Sequence, residues 1–76
     1  MSIKITNTNA FGKLIHERRK KLKLTQADLA AASGIGERFV RELEKGKPSC
    51  QLEKALLVAQ MLGIKFEATV PSTDSE

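Results

Sequence analysis

Lys13, Arg18, Arg19, Lys20, Lys21 and Lys23 crowd together with only Glu17 against them, and Arg38, Arg41, Lys45 and Lys47 follow further along the chain. Cations at this density form either a solvated face or a set of phosphate contacts. Both readings stand for each residue of the first run, and contact is favoured for the patch as a whole. With 13 Lys and Arg against 9 Asp and Glu, a formal charge of +4 and a pI near 9.5, the chain suits a polyanionic partner. Catalytic chemistry has no foothold. His16 and Cys50 are the lone histidine and cysteine, with no acid, hydroxyl or second thiol spaced to make a nucleophile, a general base or a zinc site. His16 reads as a surface residue and Cys50 as a small packed or exposed thiol. No nucleotide-binding glycine motif and no paired carboxylates occur, so no enzyme, cofactor or metal is expected.

The elements that must position these charges centre on Leu24 to Gly46. Thr25 with Asp28 has the form of a capping box at a helix start, and Asp28 also complements the helix dipole. Ala27, Leu29, Ala30, Ala31 and Ala32 favour a helix that another can approach closely. Gly34 suits a left-handed helix end, Ile35 is an apolar plug in the turn, and Gly36 precedes a second run from Glu37 to Lys45 closed by Gly46. Val40 and Leu43 of that run face inward, which leaves Glu37, Arg38, Phe39, Arg41 and Glu42 shared between partner and solvent. Two short helices about a glycine turn make the plan of a helix-turn-helix.

The run L-T-Q-x-x-L-A-x-x-x-G followed by L-E-K-G resembles the XRE/Cro (lambda-repressor-like) DNA-binding family. It is carried by Leu24, Thr25, Gln26, Leu29, Ala30, Gly34, Leu43, Glu44, Lys45 and Gly46 and extends over roughly residues 11–63. The resemblance implies that Glu37, Arg38, Phe39 and Glu42 stand at the base-reading positions. There Arg38 can fork onto guanine O6 and N7, Glu37 or Glu42 can accept from cytosine N4, and Phe39 can meet a thymine methyl. For Phe39 a core or dimer role is the alternative. The resemblance also implies that Gln26 binds a phosphate and braces the first side chain of the next helix, and that Arg19 pairs with Glu44 rather than facing DNA. Thr25, Lys23, Arg41, Lys45 and Lys47 complete the expected phosphate set, helped by free backbone N–H groups around Gly46. Gly36 stands where relatives often carry Ser or Thr, so this helix starts without a side-chain cap.

The flanking segments follow. Residues 1–8 read as an N-terminal arm in which Ile3 and Ile5 alternate with polar residues, and Asn7 or Asn9 can cap a helix from about Ala10 to Leu22. Phe11, Leu14, Ile15 and Leu22 make its apolar face. Pro48 sets a turn, Ser49 caps a helix from about Cys50 to Leu62, and Gly63 ends it. That helix buries Leu52, Ala55, Leu56, Ala59 and Leu62, while Leu57, Val58 and Met61 widen the stripe beyond what a monomer needs. Residues 64–70 alternate as a half-buried strand whose open edge calls for a second copy, with Ile64, Phe66, Ala68 and Val70 at the dimer interface. Residues 71–76 read as a disordered tail. The expected fold is all-α: a lambda-repressor-like domain of about five short helices over residues 9–63, with one C-terminal β-strand for dimerisation. A chain of 76 residues buries only about 60% of its unfolded surface, so help from a partner subunit fits. No segment reaches the roughly 18 apolar residues of a membrane span and no signal peptide is evident, so a cytoplasmic setting is expected.

This layout resembles HipB-type antitoxins, including Y4mF-like members. The resemblance implies a homodimeric repressor on a palindromic operator of double-stranded DNA, autoregulating an operon with a HipA-type kinase toxin as partner. The alternative is a stand-alone or phage-type repressor without a toxin.

Overall fold

The Asn7 side chain accepts the Ala10 N–H at 2.8 Å and starts α1 (Thr8–Lys21). Four basic residues, Arg18 to Lys21, fill its last turn against the negative end of the helix dipole. Thr25 and Asp28 form a reciprocal capping box at 2.9 Å each way and start α2 (Gln26–Ser33). Helix α3 (Glu37–Glu44) begins at Gly36 with no side-chain cap, and α4 (Leu52–Met61) begins at Gln51, also uncapped. The computed structural model describes residues 3–72. Residues 1–2 of the expected arm and 73–76 of the expected tail lie outside that range.

All four helices end alike. The N–H of Lys23, Gly34, Gly46 and Gly63 returns to a carbonyl three residues back, and that of Leu24, Ile35, Lys47 and Ile64 to one five back. This double closure needs a left-handed residue, supplied by glycine three times and by Lys23, at φ 61°, once. Leu24, Ile35 and Ile64, the residues just beyond three of these ends, pack against the core.

That core is aliphatic: Ile15 of α1, Leu29 and Ala30 of α2, Val40 and Leu43 of α3, Ala55, Val58 and Ala59 of α4, and Leu62. Helix α3 packs on both α1 and α2, and α2 packs on α4. The crossing of α1 and α3 is close, because a Cβ on Gly12 would run into the Leu43 and Glu44 carbonyl oxygens. Thr8 Oγ1 donates to the Gly46 carbonyl at 2.8 Å and fastens the same crossing at its other end.

Several expectations are corrected. The described residues form four helices rather than five, and residues 64–70 form no strand. A strand needs a ladder partner, and none is present among the described residues. Ile64 packs, partly buried, against the core as the plug that ends α4. Phe66 stacks edge-on against Phe11 with centroids 5.5 Å apart. In α4 the inward face is Ala55, Val58, Ala59 and Leu62, and the expected core residues Leu52 and Leu56 are exposed. The helix starts two residues later than expected because Cys50, packed on the core, precedes its first turn, and Ser49 sits in the preceding turn. Leu22 is exposed, just beyond the last turn of α1.

The left-handed lysine generates a stability prediction. Lys23→Gly removes the Cβ strain of that conformation at a smaller cost in unfolded-chain entropy, for a net gain of about 1 kcal/mol. Urea unfolding reads this directly, and an unchanged or lowered midpoint contradicts it.

Candidate nucleic-acid interface

With Val40 and Leu43 buried, the opposite side of α3 faces outward. Glu37, Arg38 and Arg41 are exposed there, and the Arg38 side chain is 82% accessible. Phe39 is half-buried against the core, and Lys54 Nζ lies 6.0 Å from its ring centroid. Its ring therefore lies at the border between the core and the outward face. Glu42 accepts from Lys47 Nζ at 3.2 Å and from Arg38 Nε at 3.4 Å. The Lys47 hydrogen bond, with support from Arg38, holds its carboxyl below the ordinary range although partial burial opposes this. One of the two acids of this face is thus folded back onto its neighbouring cations.

The flanks of α3 carry further donors. Thr25 Oγ1 accepts the Asp28 N–H, which leaves its own proton available to an outside acceptor. Lys23, Arg41, Lys45 and Lys47 are all exposed. The backbone N–H groups of Lys45, Gly46 and Lys47 are not free as expected. They close the end of α3 on the carbonyls of Arg41, Leu43 and Glu42, so only side chains can serve an anion there.

Behind this surface lies the carboxylate of Glu44, with its side chain 5% accessible. Arg19 Nε donates to Oε2 at 2.6 Å and Nη2 to Oε1 at 3.0 Å, a bidentate grip from α1. Arg19 Nη1 donates to the Leu24 carbonyl at 2.7 Å, which ties the α1–α2 connection to the same group. Arg19 is buried and faces no solvent groove. Gln26 Nε2 donates to Oε1 at 3.2 Å. Its amide therefore turns to the end of α3 rather than to Glu37 at its start. Burial pushes the Glu44 carboxyl up, but the hydrogen bonds of Arg19, His16 and Gln26 and the Arg19 charge outweigh it and leave the group below the ordinary range.

Two residues do structural work that their sequence reading missed. His16 is exposed, as expected, but its Nδ1 also lies 2.9 Å from Glu44 Oε1; its only sequence signal for that contact is the i, i+3 spacing from Arg19. Arg18, expected in the basic patch, donates from Nε to the Leu62 carbonyl at 2.9 Å and caps the end of α4. Gly12 carried no motif at all. Among the described residues no group of three His, Cys, Asp or Glu is placed to hold a metal, and none of the helices is long and apolar enough to cross a membrane. Burial pushes the Cys50 thiol up, opposite to what a nucleophile needs.

Comparison with known proteins agrees with this geometry. Residues 15–68 match the helix-turn-helix family model. The chain is 38% identical over 71 residues to y4mF of Sinorhizobium fredii, named an HTH-type transcriptional regulator, with 93% of both chains covered. It is 44% identical over 50 residues to an HTH-type transcriptional regulator of Methanothermobacter thermautotrophicus, covering 66% of this chain and 72% of that one. In three dimensions it resembles a chain of the complex between a serine-to-alanine variant of HipB and an O2 20mer. The TM-score is 0.83 over 95% of this chain and 100% of that one; at 19% identity the likeness is one of fold. The chain belongs to the helix-turn-helix family of XRE/Cro type.

The buried carboxylate makes acid stability a direct readout. Its native pKa is depressed, so its stabilisation is complete above the ordinary glutamate value of 4.5 and is lost as pH falls through the lower native value. Urea midpoints measured from pH 7 down to pH 3 are expected to fall more steeply for the wild type than for Glu44→Gln, which has no carboxyl to protonate. Parallel pH profiles contradict the assignment.

Proposed function

From membership of the helix-turn-helix family we propose that this chain is a sequence-specific transcriptional repressor that binds a pseudo-palindromic operator as a homodimer in the cytoplasm. We further propose that it is the antitoxin of a HipA-type kinase operon, which it autoregulates. The observation that carries the DNA-binding part is the outward face of α3, set over a buried clamp and flanked by cations on both sides. On this reading Arg38 takes a guanine through its guanidinium fork. Glu37 or Glu42 takes a cytosine amine, and the exposed part of Phe39 meets a thymine methyl. Thr25, Gln26, Lys23, Arg41, Lys45 and Lys47 bind phosphates and set the register. Two copies related by a two-fold axis present two such helices about 34 Å apart, one turn of the duplex.

The names of the two relatives, both HTH-type transcriptional regulators, support regulation. The fold likeness to the HipB variant, solved with an O2 20mer, supports the same binding mode and the antitoxin reading. Homodimerisation rests on the C-terminal segment, where Phe66 and Val70 remain 47% and 78% exposed and Ala68 is exposed between them. A second copy pairing along these residues supplies the ladder partner that one chain lacks, and so forms the strand.

Two substitutions test the assignment of roles. Arg38→Ala should lose about 1–3 kcal/mol at one base pair and relax specificity there, whereas Lys47→Ala should weaken all sequences alike and reduce the salt slope by about 1. Titrations of operator variants at several salt concentrations check both. A common factor of loss for Arg38→Ala on every sequence contradicts its base-reading role. Co-expression with the product of the adjacent gene tests the antitoxin role: a stable complex is expected, and separate elution leaves a stand-alone or phage-type repressor.

A further inference from the structure

The imidazole of His16 lies at the edge of the buried Glu44 clamp, with its side chain 49% accessible. Its Nδ1 is 2.9 Å from Glu44 Oε1 and 3.2 Å from Arg19 Nη2. One ring nitrogen thus faces an acceptor and a donor together, and a neutral ring satisfies only one of them. With its proton on Nδ1 the ring donates to the carboxylate. With the proton on Nε2 it sets a lone pair against a buried anion. The shorter contact and the negative charge select the first arrangement. Nε2, across the ring from Nδ1, is then turned away from the clamp and makes no hydrogen bond among the described residues. Gln26, in the first turn of α2, donates to the same Oε1 at 3.2 Å, so the two side chains are neighbours.

We propose that His16 binds a DNA phosphate in its protonated form, so that docking on the duplex takes up a proton at Nε2. This proposal rests on the DNA-binding reading and adds to the phosphate set beside Gln26 a group whose charge depends on pH. In the neutral ring held by Glu44, Nε2 presents a lone pair, which repels a phosphate oxygen. On protonation Nδ1–H stays with Glu44 and a second N–H appears on Nε2, a charge-assisted donor on the exposed side of the ring. Histidine ordinarily titrates at about pH 6.5, so the change falls in the physiological range. The charged groups on the elements around the ring are Glu44 of α3, with Arg41 one turn before it and Lys45 after it, and on α1 Arg19, with Lys13 and Lys20 about a turn to either side of His16. On α2 the first-turn Asp28 is spent on the Thr25 N–H. The cations oppose a charge on the ring, Glu44 favours it, and a phosphate at Nε2 adds a second anion. DNA therefore binds the imidazolium better than the neutral ring, and by linkage its binding tightens as pH falls.

Fluorescence anisotropy of a labelled mixed-sequence duplex, titrated with the full chain over a salt series at about pH 8 and about pH 5.5, tests the proposal, because a phosphate contact needs no particular base sequence. Glu44, held below the ordinary carboxyl range, stays ionised at both. The wild type is expected to bind about tenfold more tightly at the lower pH, with the log–log salt slope steeper by about 1 for each copy bound, since one more phosphate is neutralised. His16→Gln, which keeps a donor for Glu44 but cannot be charged, should lose both effects. His16→Lys, charged throughout, should keep the steep slope at both pH values. If protonation only tightened the clamp, affinity would change while the slope did not, so an unchanged slope overturns the phosphate contact. A pH effect of the same size in His16→Gln, or one retained in His16→Lys, also overturns it. A wild type that binds no duplex at low salt at either pH overturns the DNA-binding reading itself.

Discussion

The carboxylate of Glu44 is the point on which the arrangement of the helices depends. It sits at the C-terminal end of α3 and takes donors from Arg19 and His16 of α1 and from Gln26 of α2. A buried ion pair adds little net stability because desolvation offsets most of its attraction, yet removing one partner strands a charge at a cost of several kcal/mol. Its consequence is therefore directional. Any rotation of α3 about its axis would pull Glu44 out of the Arg19 fork, so the residues that face outward on α3 are set by a group that faces inward. Gly12 makes the arrangement possible, because only a residue without a Cβ lets α1 approach the backbone that carries Glu44.

The helix ends are the second constraint. Each closes with the same pair of backbone hydrogen bonds, and at three of them the next residue is an apolar plug: Leu24, Ile35 and Ile64. The end of α3 differs, placing Lys47 where the others place a hydrophobe and sending its ammonium to Glu42. The core is thus sealed at three corners, and the fourth is polar and open on the side where the cations gather. Core packing and the cationic corner come from one repeated local motif with one substitution.

Much of this was legible because it is local. The capping box of Thr25 and Asp28, the uncapped start at Gly36 and the left-handed ends at Gly34, Gly46 and Gly63 depend on a few neighbouring residues. What stayed hidden depends on contacts distant in the chain. Gly12 is unremarked in a helical pattern until α3 lies against it. Arg18 and His16 look like solvated helix residues until a carbonyl and a carboxylate arrive from residues 62 and 44. In α4 the apolar residues exceed one face, so periodicity alone could not tell that Val58 turns in while Leu52 and Leu56 turn out. Residues 64–70 show why alternation is not sufficient for a strand: the pattern describes a segment that can pair, and pairing needs a second edge. Lys23 in a left-handed conformation could not be foreseen from type, since lysine is not the residue that such a position favours.

The central claim is that the outward face of α3 reads DNA in two copies related by a two-fold axis. Selection of bound duplexes from a random library by the full-length protein tests this most directly. The expected result is an enriched pseudo-palindrome whose half-sites lie about one helical turn, roughly 10–10.5 base pairs, centre to centre. Enrichment of a single unrepeated site, or of none at salt concentrations where the protein still binds duplex, would contradict it.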